Sequence, residues 1–136
     1  VLLLSITGVL ESGENRGRRV PANARTPIRV TQTSTVTVRM SALDSGGSPL
    51  PLAGNDLVLS VSKNPSQLPI LKFPGVLQPT LGINVVDFPI LPDDTSPDKV
   101  QAGQYVYDVW MTSPAKDRSM LVPISPFGLE PTVNRP

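Results

Sequence analysis

The sequence predicts an all-β protein, an antiparallel sandwich of about seven strands with an extended N-terminal segment. Three observations lead there. Apolar and polar residues alternate at period two in several runs, most cleanly where Val36, Val38 and Met40 interleave with Thr35, Thr37 and Arg39. Clusters of Gly, Pro, Asn, Asp and Ser cut the chain at spacings of roughly 8 to 15 residues. No segment carries an amphipathic helical period, and the chain holds 16 prolines in 136 residues, roughly twice average usage.

Residues 1–12 alternate imperfectly between apolar and small polar residues and read as a strand. The run is about ten residues long, half of what a spanning helix needs. It also lacks the basic stretch that opens a signal peptide. Residues 13–27, GENRGRRVPANARTP, hold no hydrophobic period and read as a linker. Its Arg16, Arg18 and Arg19 are either a solvated basic loop or a contact for phosphate or an acidic protein surface. Residues 28–43 form the longest strand pattern, with a bend at Thr33–Ser34, and DSGG at 44–47 supplies a tight turn. Leu57, Leu59 and Val61 mark the next strand. A short one follows at 70–77, where Pro69 and Pro74 restrict it to an edge or a bulge. Further strands are expected at 81–91, 102–111 and 118–124, with a long turn at 92–103 in which SPDKV can form one helical turn. From Pro126 the tail is expected to be extended. The chain therefore divides into 1–27, a strand plus Arg-rich linker, and 28–136, the sandwich.

The run AGQYVYDVWM at 102–111 gathers both tyrosines and the single Trp. On a strand, Tyr105 and Tyr107 point one way and Trp110 the other. In immunoglobulin-like sandwiches a Tyr near the start of strand F bonds its hydroxyl to the backbone a few residues upstream, and a core residue follows two positions later. Tyr105 fits the first role and Tyr107 the second, with Gly103 turning the chain into the strand. Hence the sandwich is expected to be immunoglobulin-like. Trp110 is then either an exposed partner contact or a residue packed beneath the N-terminal segment.

Composition narrows the function classes. Without Cys there is no disulfide or thiol chemistry, and without His the usual general base and commonest metal ligand are missing. A net charge of +1 creates no strong field toward nucleic acid or membrane. Asp93, Asp94 and Asp98 lie close together, but their spacing does not match a calcium loop, and turn capping explains them. No nucleophile elbow or phosphate loop is present, and Pro65 excludes glycosylation at Asn64. No catalytic residue, cofactor or metal is expected. Charged residues are 17% of the chain, below the roughly 25% of an ordinary soluble domain, which suggests a surface covered by a partner.

The stretches VRMSALDSGGSPLPLAGNDLVLSV and DDTSPDKVQAGQYVYDVWMTSPAKDRSMLV, with PTVNRP at the end, resemble a family of small immunoglobulin-like domains of tailed bacteriophages. The family includes the N-terminal domain of baseplate upper proteins and related head-fibre and virion-surface proteins. The likeness covers roughly residues 28–136, and its motifs are fold signatures that carry no chemistry. It implies a non-enzymatic structural protein located in the virion, with phage capsid or tail proteins as partners and self-association left open. If 136 residues are the whole protein there is no room for a fibre or receptor-binding domain. The expected role is then a capsid decoration or cement protein, or a small head or tail accessory. A tail or baseplate component and a carbohydrate-binding or adhesion module are the alternatives. On the decoration reading, Leu2, Leu4 and Ile6 with the Arg-rich linker would be an anchoring arm that adds a strand to a neighbour's sheet. Otherwise residues 1–12 are the domain's own first strand.

Overall fold

The computed structural model describes residues 2–10 and 27–131. Their strands are β1 (Leu2–Val9), β2 (Ile28–Thr31), β3 (Val36–Leu43), β4 (Asp56–Ser62), β5 (Pro69–Pro74), β6 (Val76–Leu77), β7 (Val85–Ile90), β8 (Gly103–Thr112) and β9 (Arg118–Glu130). They form two mixed sheets, one ordered β1-β3-β7-β6 and the other β2-β9-β8-β4-β5. This is the two-layer arrangement of an immunoglobulin-like sandwich, with β3, β4, β7, β8 and β9 in the places of strands B, C, E, F and G.

Alternation builds the layer between the sheets. Val36, Val38, Met40 and Ala42 of β3 are buried, as are Val86, Phe88 and Ile90 of β7. Leu57, Leu59 and Val61 of β4 and Tyr107, Val109 and Met111 of β8 face them. Leu52 and Val100 plug the layer from loops. Outside it, Arg39 and its registered partner Asp87 form a two-pronged ion pair at 2.8 and 3.0 Å.

Two pairings depart from the expected antiparallel pattern. β1 runs parallel to β3 over its whole length, and β2 runs parallel to β9. The parallel β1 puts Gly8 beside Ala42, where a Cβ would lie 2.8 Å from the Met40 sulfur and 3.1 Å from Leu121 Cβ in the opposite sheet. Residues 2–9 are thus a strand of this sandwich, and Ile6 and Gly8 reach its core.

The strand expected at 70–77 is two strands in different sheets. β5 is an edge of the five-stranded sheet and carries a register irregularity against β4; β6 closes the other sheet. The chain crosses between them at Gly75, whose N–H donates to the Leu57 carbonyl at 2.7 Å. A Cβ at Gly75 would lie 2.6 Å from Val86 Cγ2 and 3.1 Å from the Phe88 ring. Only a residue without a side chain passes there.

β9 is longer than expected, running to Glu130 despite Pro123 and Pro126. Pro123 falls where the β8 register shifts, and β2 joins β9 only from Phe127 onward. Both prolines therefore avoid positions needing ladder bonds on two sides. SPDKV forms the expected helical turn, with the Lys99 and Val100 N–H groups donating to the Ser96 carbonyl at 2.9 and 3.1 Å, and a 3-10 turn at Pro92–Thr95 precedes it. Thr95 is fully buried, and its hydroxyl accepts the Thr33 N–H at 3.0 Å. This holds Thr33 at φ 60° in the turn between β2 and β3, a costly conformation for a β-branched residue. The Gln32 amide donates to the Val100 carbonyl at 2.8 Å and ties the same two segments.

Gly75→Ala is expected to destabilise the fold by about 1–3 kcal/mol, because the clash is with packed Val86 and Phe88. Urea denaturation at constant m-value measures it. A loss within the noise of wild type contradicts the close-approach account.

Candidate functional site

β8 presents two contrasting faces. Inward, Tyr105 and Tyr107 do structural work. The Tyr105 hydroxyl donates to the Gln101 carbonyl at 2.5 Å, four residues upstream, the geometry of a tyrosine corner. Tyr107 is fully buried and meets Phe127 edge-on, with ring centroids 6.3 Å apart. Burial pushes its phenol up to about 12, against a smaller opposing pull from a hydrogen bond with Ser125. Tyr107 therefore stays protonated at neutral pH and offers no base. Gly103 opens β8 opposite Leu129, and a Cβ there would meet only ordinary contact with the Tyr105 ring at 3.9 Å.

Outward, β8 carries Asp108 and Trp110 on the outer face of the five-stranded sheet. Trp110 is half-buried. Register sets Val58 of β4 on one side of it and Met120 of β9 on the other, and Pro74 of β5 follows Val58. Met120, Trp110, Val58 and Pro74 thus form an apolar row across four strands. The Arg118 guanidinium sits 4.4 Å from the Trp110 ring centroid, a cation–π contact that fixes the indole. It also covers one ring face that a sugar would otherwise stack on.

Burial raises the Asp108 carboxyl above its ordinary value. A hydrogen bond with Trp110 and the charge of Arg118 oppose that shift more weakly. Beside Asp108 a shallow cleft of about 120 Å³ opens between Ser60, Ser62, Val106, Ile124 and Pro69. A small-molecule site usually measures about 300 Å³ or more, so the face suits a broad protein contact better than a captured ligand. Ile70 of β5 and Ile124 of β9 add exposed apolar surface to this sheet.

Trp110 lies half-buried on the outer side of the five-stranded sheet, and β1 belongs to the other sheet; residues 11–26 of the N-terminal segment lie outside the described residues. Of the three residues expected in the anchoring arm, Ile6 is buried in the core, Leu4 packs against it and Leu2 is half exposed. Arg16, Arg18 and Arg19 lie outside the described residues. Sequence reasoning missed the partners of Trp110, since Val58, Met120 and Arg118 reach it only through the strand register. The Asp94 carboxylate accepts the Leu91 N–H at 2.8 Å, which is turn capping. Among the described residues no three His, Cys, Asp or Glu side chains group as they would around a metal ion.

No family model matches the chain, and no curated protein matches it. Among solved structures it is similar to the N-terminal domain of phage TP901-1 ORF48, with a TM-score of 0.55 and 8% identity over 98% of this chain and 100% of that one. It is also similar to the cysteine protease inhibitor EhICP2 from Entamoeba histolytica, at a TM-score of 0.42 and 6% identity over 96% of each chain. The second likeness is too slight to carry an argument. The first, at this identity, shows a shared fold.

The raised Asp108 carboxyl gives a pH test. Its folded value lies above its unfolded one, so the fold binds more protons in that window and stability falls as pH rises through it. Above the folded value the full penalty persists. Asp108→Asn keeps an acceptor for Trp110 and removes that penalty. The variant is expected to melt higher than wild type at neutral pH, with the difference vanishing below pH about 3.8. Melting curves at the two pH values check this, and a variant less stable at neutral pH contradicts it.

Proposed function

We propose that this chain is a non-enzymatic structural protein of a phage particle, a capsid decoration or small head or tail accessory protein that acts by binding neighbouring subunits. The observation that carries the reading is the end-to-end likeness to the N-terminal domain of a phage protein, which accounts for 98% of this chain and all of that domain. The sequence motifs at 38–61 and 93–122 lead independently to small virion domains of tailed phages. One route uses residues and the other uses the backbone trace, and both point toward phage proteins.

Physical features support assembly as the mode of action. The apolar row around Trp110 has the composition of an interface core, an aromatic and a Met flanked by Arg. The neighbouring cleft is small, and Tyr107 beneath it is held neutral. A baseplate or other tail location is the alternative within the same class, and the docking partner distinguishes them.

The experiment is co-sedimentation of the purified chain with empty capsids and, separately, with tails of the phage that encodes it, alongside a glycan array. Saturable, stoichiometric binding to one particle class without glycan retention is the expected result; glycan retention without particle binding overturns it. Trp110→Ala is expected to weaken particle binding by about 2 kcal/mol or more while leaving the melting temperature within a few degrees. If particle binding is unchanged, the apolar row is not the docking face.

A further inference from the structure

Among the described residues four strands form the sheet edges: β1 and β6 in one sheet, β2 and β5 in the other. An edge strand exposes unpaired N–H and C=O groups and invites another strand unless something blocks it. Three of the four edges are blunted. β6 has two residues and β2 has four, while β5 is bounded by Pro69 and Pro74 and carries Lys72. β1 has no such device. It is eight residues long, LLLSITGV, without a charge or a proline.

Its hydrogen-bond phase defines what the open side offers. Leu2 N–H donates to the Thr35 carbonyl and Leu10 N–H to the Leu43 carbonyl. In a parallel ladder the even-numbered residues thus turn both backbone groups toward β3. Leu3, Ser5, Thr7 and Val9 turn theirs outward, and among the described residues no strand pairs with that side. Gly8, locked between Met40 and Leu121, holds β1 in its own sandwich. The strand is presented as an acceptor edge and is not released as an arm.

We propose that the occupant of this edge is β1 of a second copy, paired antiparallel about a two-fold axis at Ser5. The strand is uncharged, so self-pairing sets no like charges together. Odd residues then oppose odd residues, which lets both free sets of N–H and C=O groups exchange bonds. Ser5 faces Ser5 and Leu3 faces Thr7 on the outer side; Leu4 faces Ile6 on the inner side. Leu2, 52% exposed, falls opposite Gly8, which has no side chain to obstruct it. Two four-stranded sheets become one continuous sheet, and the half-exposed Leu2 and Leu3 are covered. The proposal does not rest on the phage reading, since it is tested on the isolated protein and particle binding is tested on particles.

The test is sedimentation velocity of the full chain over a concentration series, with circular dichroism and melting as folding controls. Wild type is expected to show a reversible dimer. Ser5→Pro removes an outward N–H and no bond to β3, so it is expected to weaken dimerisation about tenfold or more at unchanged fold. Ser5→Lys, on an exposed position, sets two ammonium groups face to face and does the same through charge. Because the chain has no Cys, Ser5→Cys reports the register directly. A hydrogen-bonded antiparallel pair has its Cα atoms about 5.5 Å apart, within disulfide range. Mild oxidation is expected to give a covalent dimer, whereas Ser45→Cys on the exposed turn gives none. A wild type that stays monomeric throughout overturns the proposal. So does a dimer indifferent to Ser5→Pro and Ser5→Lys.

Discussion

The dry apolar layer between the two sheets is the constraint on which the rest depends. Val38, Met40 and Phe88 face Leu59, Val109, Tyr107 and Phe127 across it, all essentially without solvent contact. Burial of such side chains contributes about 1.5–3 kcal/mol each against the entropy of ordering the chain, and a chain without Cys has no disulfide to assist. Every polar group near the layer must find a partner inside the protein. Gln32 finds the Val100 carbonyl, Thr95 finds the Thr33 N–H, and Tyr107 loses its acidity. The same closeness is why the chain changes sheets at a glycine.

The chain places its large aromatics in one interior layer, with a single exception. Both tyrosines and Phe73, Phe88 and Phe127 belong to the core or pack against it. Trp110 alone stands on an outer face, propped by Arg118 and flanked by Val58 and Met120. Among the described residues this leaves an apolar row on the outer face of the five-stranded sheet and the unpaired β1 edge on the four-stranded sheet. The two surfaces lie on different sheets.

Much of the fold was legible before any coordinates. The inward sets of β3 and β4 follow from alternation, and the roles of Tyr105 and Tyr107 follow from their spacing. Three features did not follow. The 70–77 run reads as one strand because its apolar pattern continues through Gly75; only the facing Val86 shows that the chain changes layer there. The prolines of the last strand argue against pairing by themselves, and it takes the short β2 to show that their nitrogens need no partner. The neighbours of Trp110 come from strands up to 52 residues away, and no local signal carries them.

The direction of β1 marks the same boundary. Composition and alternation by themselves determined that this is an all-β chain without the side chains for thiol or histidine chemistry, because side-chain type and period two are local properties of the sequence. Whether the first strand joined its own sheet, and in which direction, only the tertiary structure decided. Backbone hydrogen bonding is indifferent to sequence, and the close fit of Gly8 against Met40 and Leu121 exists only when both sheets are assembled.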